Sequence, residues 1–132
     1  MSGKVWFGLL AGVVLGAAAV AAVPSVAVAD NACGTKENPC PLQKWMRQNM
    51  APANASGDRP ALAASLDKAA TFAPDASWNG KDAKANWDAI AKAGAAAARA
   101  NDAAGVKASC KTCHDTFKEK YKEKFRTKPI AG

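Results

Sequence analysis

The sequence has little of what catalytic and multi-ligand sites are built from. Its 132 residues include one histidine, so a second metal site would have no imidazole. No stretch alternates apolar and polar residues with period two, so no sheet is expected. No acid–base or nucleophile constellation is legible, and the chain does not read as an enzyme. Its formal charge of +7 comes without any nucleic-acid recognition motif, so no nucleic-acid partner is expected. Large apolar side chains are modest in supply beside abundant alanine, and a compact core needs added bulk. Four cysteines are present, in two separate pairs.

One pair lies near the C-terminus, in Ala108-Ser109-Cys110-Lys111-Thr112-Cys113-His114-Asp115-Thr116-Phe117. Cys110-x-x-Cys113-His114 has the spacing of c-type haem attachment. On a helix these three residues stand at i, i+3 and i+4 and project from one face. Two thiols so placed can form thioethers with the vinyl groups of one porphyrin, and His114 then serves as the proximal iron ligand. A zinc half-site is a competing reading, but Cys33 and Cys40 have the wrong spacing to complete it. A dithiol redox pair is another, but no strand–helix–strand pattern surrounds the motif.

Residues 1–29 read as an export signal. Lys4 precedes an apolar run from Val5 to Val23, and Ala27-Val28-Ala29 is a small-x-small cleavage site. Left uncleaved, the same segment is long enough to anchor the chain in a membrane. Either way, Asp30 onward lies outside the cytoplasm, in the periplasm, where disulfides persist. Residues 30–41 form a turn-rich loop in which Cys33 and Cys40 are expected to pair. So short a loop adds roughly 2 kcal/mol, or a little more, of closure entropy.

Residues 42–132 read as four helical stretches. The first places Leu42, Trp45, Met46 and Met50 on one face, with Pro41 at its start and Pro52 ending or kinking it. The second opens at Asp58-Arg59-Pro60 and buries Leu62, Leu66, Ala69 and Ala73 before Pro74. A loop carrying Trp78 follows. The third runs from Lys81 to Ala100 with Ala83, Trp87, Ile90, Gly94 and Ala97 inward. Gly94 costs that helix about 1 kcal/mol, while the alanines after it make a thin wall that a neighbour can approach closely. Asn101 or Asp102 caps the fourth, which turns Val106, Cys110, Cys113, Phe117, Tyr121 and Phe125 inward as far as Phe125. Short connections suit an all-α, up-down four-helix bundle.

From Trp87 to Lys118 the chain resembles the class II cytochromes c, the cytochrome c prime family. The resemblance rests on an alanine-rich third helix, a short turn, the Cys110–His114 motif on the last helix, and an aromatic and a basic residue at Phe117 and Lys118. It implies a four-helix bundle with one covalent haem c on its last helix, bound by Cys110, Cys113 and His114 with Phe117 beside them. Arg47 and Met50 match the family's distal-side positions, and Pro52 departs from its longer first helix. In low-spin members a methionine at the Met50 position is the sixth iron ligand. Met46, one turn away, is the competing ligand, and an open site is the third possibility. Arg47 is a candidate for a haem propionate, with a solvated surface arginine the simpler reading, and Trp45, Trp78 and Trp87 read as core or rim residues with indole N–H groups that a propionate can use.

The implied function is one-electron transfer by an exported monohaem carrier; the alternative is a haem module binding nitric oxide or another small gas. A homodimer fits the family. Lys111, Lys118, Lys120, Lys122, Lys124, Arg126 and Lys128 give the haem helix a basic end to which a redox partner with an acidic face can be steered. Asp115, Glu119 and Glu123 interleave with them, so a solvated, ion-paired face is the simpler reading for most.

Overall fold

The computed structural model describes residues 33–80 and 86–130. The export segment and the inward position assigned to Ala83 lie outside the described residues. Among those described there are four α-helices, one 3₁₀ turn and no strand, an all-α fold. No helix among them is long and apolar enough to cross a membrane.

The first helix, α1, spans Pro41–Ser56. Pro52 lies inside it, so of the two outcomes the sequence allowed, an end or a kink, the end does not occur. Both Pro52 and Gln48 are exposed, so water can serve the carbonyl deprived of its donor, and the helix continues past the ring. The helix closes one turn later at Gly57. The second, α2, spans Arg59–Ala70 and is capped by Asp58, whose carboxylate accepts from Ala61 N–H at 2.9 Å. It stops at Thr71, before Ala73 and Pro74, yet Ala73 still packs on the core from the loop.

Trp78 sits in the 3₁₀ turn Ala76–Asn79 and is buried. The third helix, α3, spans Trp87–Arg99; residues 81–85, over which the sequence reading began this helix, lie outside the described residues. Asn86 is extended; its side chain accepts from Ala89 N–H at 3.0 Å and donates to Gly80 O at 2.6 Å. A cap so fully used fixes the helix start. Asp102, not Asn101, caps α4, which spans Ala103–Lys124. Asn101 instead takes a left-handed conformation (φ 54°) in the turn.

Helices adjacent in sequence pack on one another: α1 on α2, α2 on α3 and α3 on α4. The thin α3 makes the middle contacts possible. Ala95 and Ala98 are 0% and 1% exposed, against Leu62, Leu66 and Val106. Gly94 is buried where a Cβ would lie 2.6 Å from Ser109 Oγ. Bulk comes from a second cluster in which Trp78 stacks on Phe117 at 4.8 Å and meets Trp87 at 5.8 Å. Burial of each of these rings contributes on the order of 2–3 kcal/mol. By contrast, α1 and α4 make little close backbone contact.

Candidate functional site

The gap between α1 and α4 is a groove, and the Cys110–His114 motif forms part of one wall. Two adjoining cavities, of about 290 and 310 Å³, share Met46, Arg47, Trp87, Cys113 and His114. Pockets of this size sit at the small end of those that hold organic ligands. The first continues toward Phe117, Lys118, Tyr121 and Lys122. The second continues past Met50 and Cys110 onto Leu62 and Leu66.

Helical geometry accounts for the α4 wall. Cys110 and Cys113 are half-buried and His114 is exposed at the groove's edge. Both thiols are free. Burial raises the Cys110 pKa. Burial, and then the neighbouring Cys110, push Cys113 up to about 12. Thiols held neutral in this way lack the depressed pKa of a dithiol redox catalyst. Cys33 and Cys40 are joined to each other, with Cα atoms 4.8 Å apart, and so are not available to complete a zinc set. Among the described residues no three His, Cys, Asp or Glu side chains gather as a metal-binding group.

The α1 wall carries the two methionines. Met46 lines both cavities and Met50 the second; both are half-buried and pack on the core. Arg47 also lines both, but its Nη1 donates to Lys36 O at 3.0 Å, which ties the guanidinium to the N-terminal loop. Phe117 is 3% exposed and acts as floor, with one face on Trp78. Trp87 lies beside it, and its Nε1–H donates to Ala69 O at 2.7 Å. That indole is therefore not free for a propionate, as the sequence reading had allowed. Trp45 instead packs edge-on against Phe72 at 4.8 Å.

The groove is polarised. Arg47, Lys118 and Lys122 border its first cavity, and no carboxylate lines either cavity. Lys122, at that border, also pairs with Glu119; elsewhere on the basic end Lys111 pairs with Asp115 and Lys128 donates to Pro74 O. Sequence reasoning did not place Gln43, Leu42 and Tyr121 at one end of this site. Helical spacing did put Leu42 on the methionine face of α1 and Tyr121 on the inner face of α4; Gln43 carried no such signal.

A macrocycle bearing two carboxylates and an apolar body suits these residues: two thiols and an imidazole on one wall, thioethers on the other, and cations at one end. No family model matches the chain, and no curated protein or solved structure matches it significantly.

Proposed function

We propose that the chain is an exported, periplasmic monohaem c-type cytochrome, an up-down four-helix bundle that carries single electrons. The observation that carries this reading is the arrangement of the groove. Its α4 wall presents both free thiols and the one histidine, and its α1 wall presents Met46 and Met50.

In this reading Cys110 and Cys113 hold the porphyrin as thioethers and His114 ligates iron from the same helix. When bound, the haem supplies a one-electron couple. The protein's own contribution is positional and electrostatic. Phe117 and Trp87 exclude water from the groove floor, and Leu62 and Leu66 take the apolar edge. Arg47, Lys118 and Lys122 place positive charge where propionates are accommodated. Met50, by its resemblance to the family position, or Met46 would supply a thioether to the iron, which would favour the ferrous state and raise the potential. A partner with an acidic face approaches the Lys118–Lys122 side.

The test is the visible spectrum of protein purified from a cell that assembles c-type cytochromes. A covalent haem with a low-spin ferrous spectrum is expected. Met50→Ala is then expected to convert the spectrum to high spin and to open the iron to carbon monoxide. A colourless, folded protein ends the proposal. A coloured protein that is high-spin before any substitution turns the function to gas binding.

A further inference from the structure

The two walls of the groove stand on helices that scarcely touch, so their spacing has to be held from elsewhere. At the α2 end, α1 is tied by the turn at Gly57, where Asp58 N–H donates to Ala53 O at 2.9 Å. At its other end α1 begins directly after Cys40, which is 1% exposed within the aromatic core. There the Cys33–Cys40 loop meets the far end of α4.

The contacts at that meeting point are specific. The Tyr121 hydroxyl accepts from Leu42 N–H at 3.3 Å and donates to Arg126 O at 2.9 Å. Leu42 N–H is one of the first-turn donors that no helical carbonyl can serve. The Arg126 guanidinium donates back to Cys33 O. It lies over Gly34, where φ is +120° and a Cβ would run into the guanidinium. Glycine is therefore favoured there twice over, by conformation and by contact. The loop also grips α1 itself. Cys40 N–H donates to Gln43 Oε1 at 3.0 Å, and Arg47 donates to Lys36 O. The disulfide closes the loop, and Gly34 N–H donates to Asn38 O across it at 2.7 Å.

We propose that the Cys33–Cys40 loop, with Tyr121 and Arg126, is a positioning clasp. It sets the separation of α1 from α4, and thereby where Met46 and Met50 stand opposite Cys110, Cys113 and His114. Released at this end, α1 pivots on the Gly57 turn and the methionine wall moves away. Arg126 and Tyr121 are positioning residues that act through α1. The spectral consequence rests on the haem reading; the mechanical one does not.

The experiment is amide hydrogen exchange, resolved by helix, on the purified full-length protein and two variants. In Cys33→Ser/Cys40→Ser the loop is open, and in Arg126→Gln the disulfide is kept but the grip on Cys33 O is lost. Both are expected to speed exchange in α1 by tenfold or more beyond whatever change α3 shows, with Arg126→Lys recovering part of the loss. Carbon monoxide association to the ferrous protein is expected to rise in parallel. Equal acceleration in every helix, which a mere loss of stability would give, overturns the proposal, as does an unchanged α1. Freed α1 with unaltered spectrum and carbon monoxide rate overturns the positioning role. If the double serine variant does not fold, Arg126→Gln decides alone. If the parent protein carries no haem the cytochrome reading falls, and the exchange result still decides the clasp.

Discussion

Replacing Gly94 with alanine sets helix propensity against packing, and the structure says which wins. In an isolated helix the change stabilises by about 1 kcal/mol. In this protein the new Cβ would stand 2.6 Å from Ser109 Oγ, 3.1 Å from Ser109 Cβ and 3.3 Å from Leu66 Cδ1. Ser109 cannot yield freely, because its hydroxyl donates to Ile90 O at 2.7 Å. Turning it away forfeits that bond, worth about 1 kcal/mol, and leaves the Cβ contact in place. Prising α3 from α4 and α2 instead carries the usual overpacking cost of about 1–3 kcal/mol. The net expectation for Gly94→Ala is a destabilisation of about 1–2 kcal/mol, or a fall of roughly 5–15 °C in melting temperature. Urea denaturation of the parent and the variant measures it. In a Ser109→Ala background the same change is expected to cost about 1 kcal/mol less, a coupling that a double-mutant cycle reads directly. A Gly94→Ala protein more stable than its parent would mean that α3 does not approach α4 this closely.

Two further outcomes follow from buried hydrogen bonds. Trp87→Phe removes the donor to Ala69 O and the second ring of a side chain only 3% exposed; about 2–3 kcal/mol of stability is expected to go, read by urea denaturation, and a loss under 0.5 kcal/mol would refute the burial argument. Burial raises the Tyr121 pKa above its ordinary 10.0, against lowering by the Leu42 N–H and Arg126. A raised acid group stabilises the fold fully below its unfolded value and loses that contribution as pH climbs through the folded one. Stability is therefore expected to fall above pH 10 in the parent more steeply than in Tyr121→Phe, and parallel curves would show that this hydroxyl is not buried in the clasp.

Much of the helical layout is legible because its signals are local. Asp58 and Asp102 stand where caps are needed, and Leu62, Leu66 and Val106 recur at helical spacing. The errors also have local causes with distant remedies. Pro52 reads as a stop or a kink, yet whether it ends α1 depends on which side of the helix meets water. Asn86 caps α3 directly before Trp87, a local signal that the sequence reading did not use. Nothing near Arg47 in the sequence announces its bond to the Lys36 carbonyl, which reaches it only once the N-terminal loop has folded back.

By itself the sequence determined that Cys110, Cys113 and His114 share one helical face, because i, i+3 and i+4 coincide on any α-helix. It determined too that Cys33 and Cys40 are close enough along the chain to pair. Only the tertiary structure decided that α1 stands off from α4, that Met46 and Met50 line the resulting groove, and that Arg126 closes on Cys33 across 93 positions. Contacts between residues so far apart are set by how whole helices pack, and no pattern within one segment encodes them.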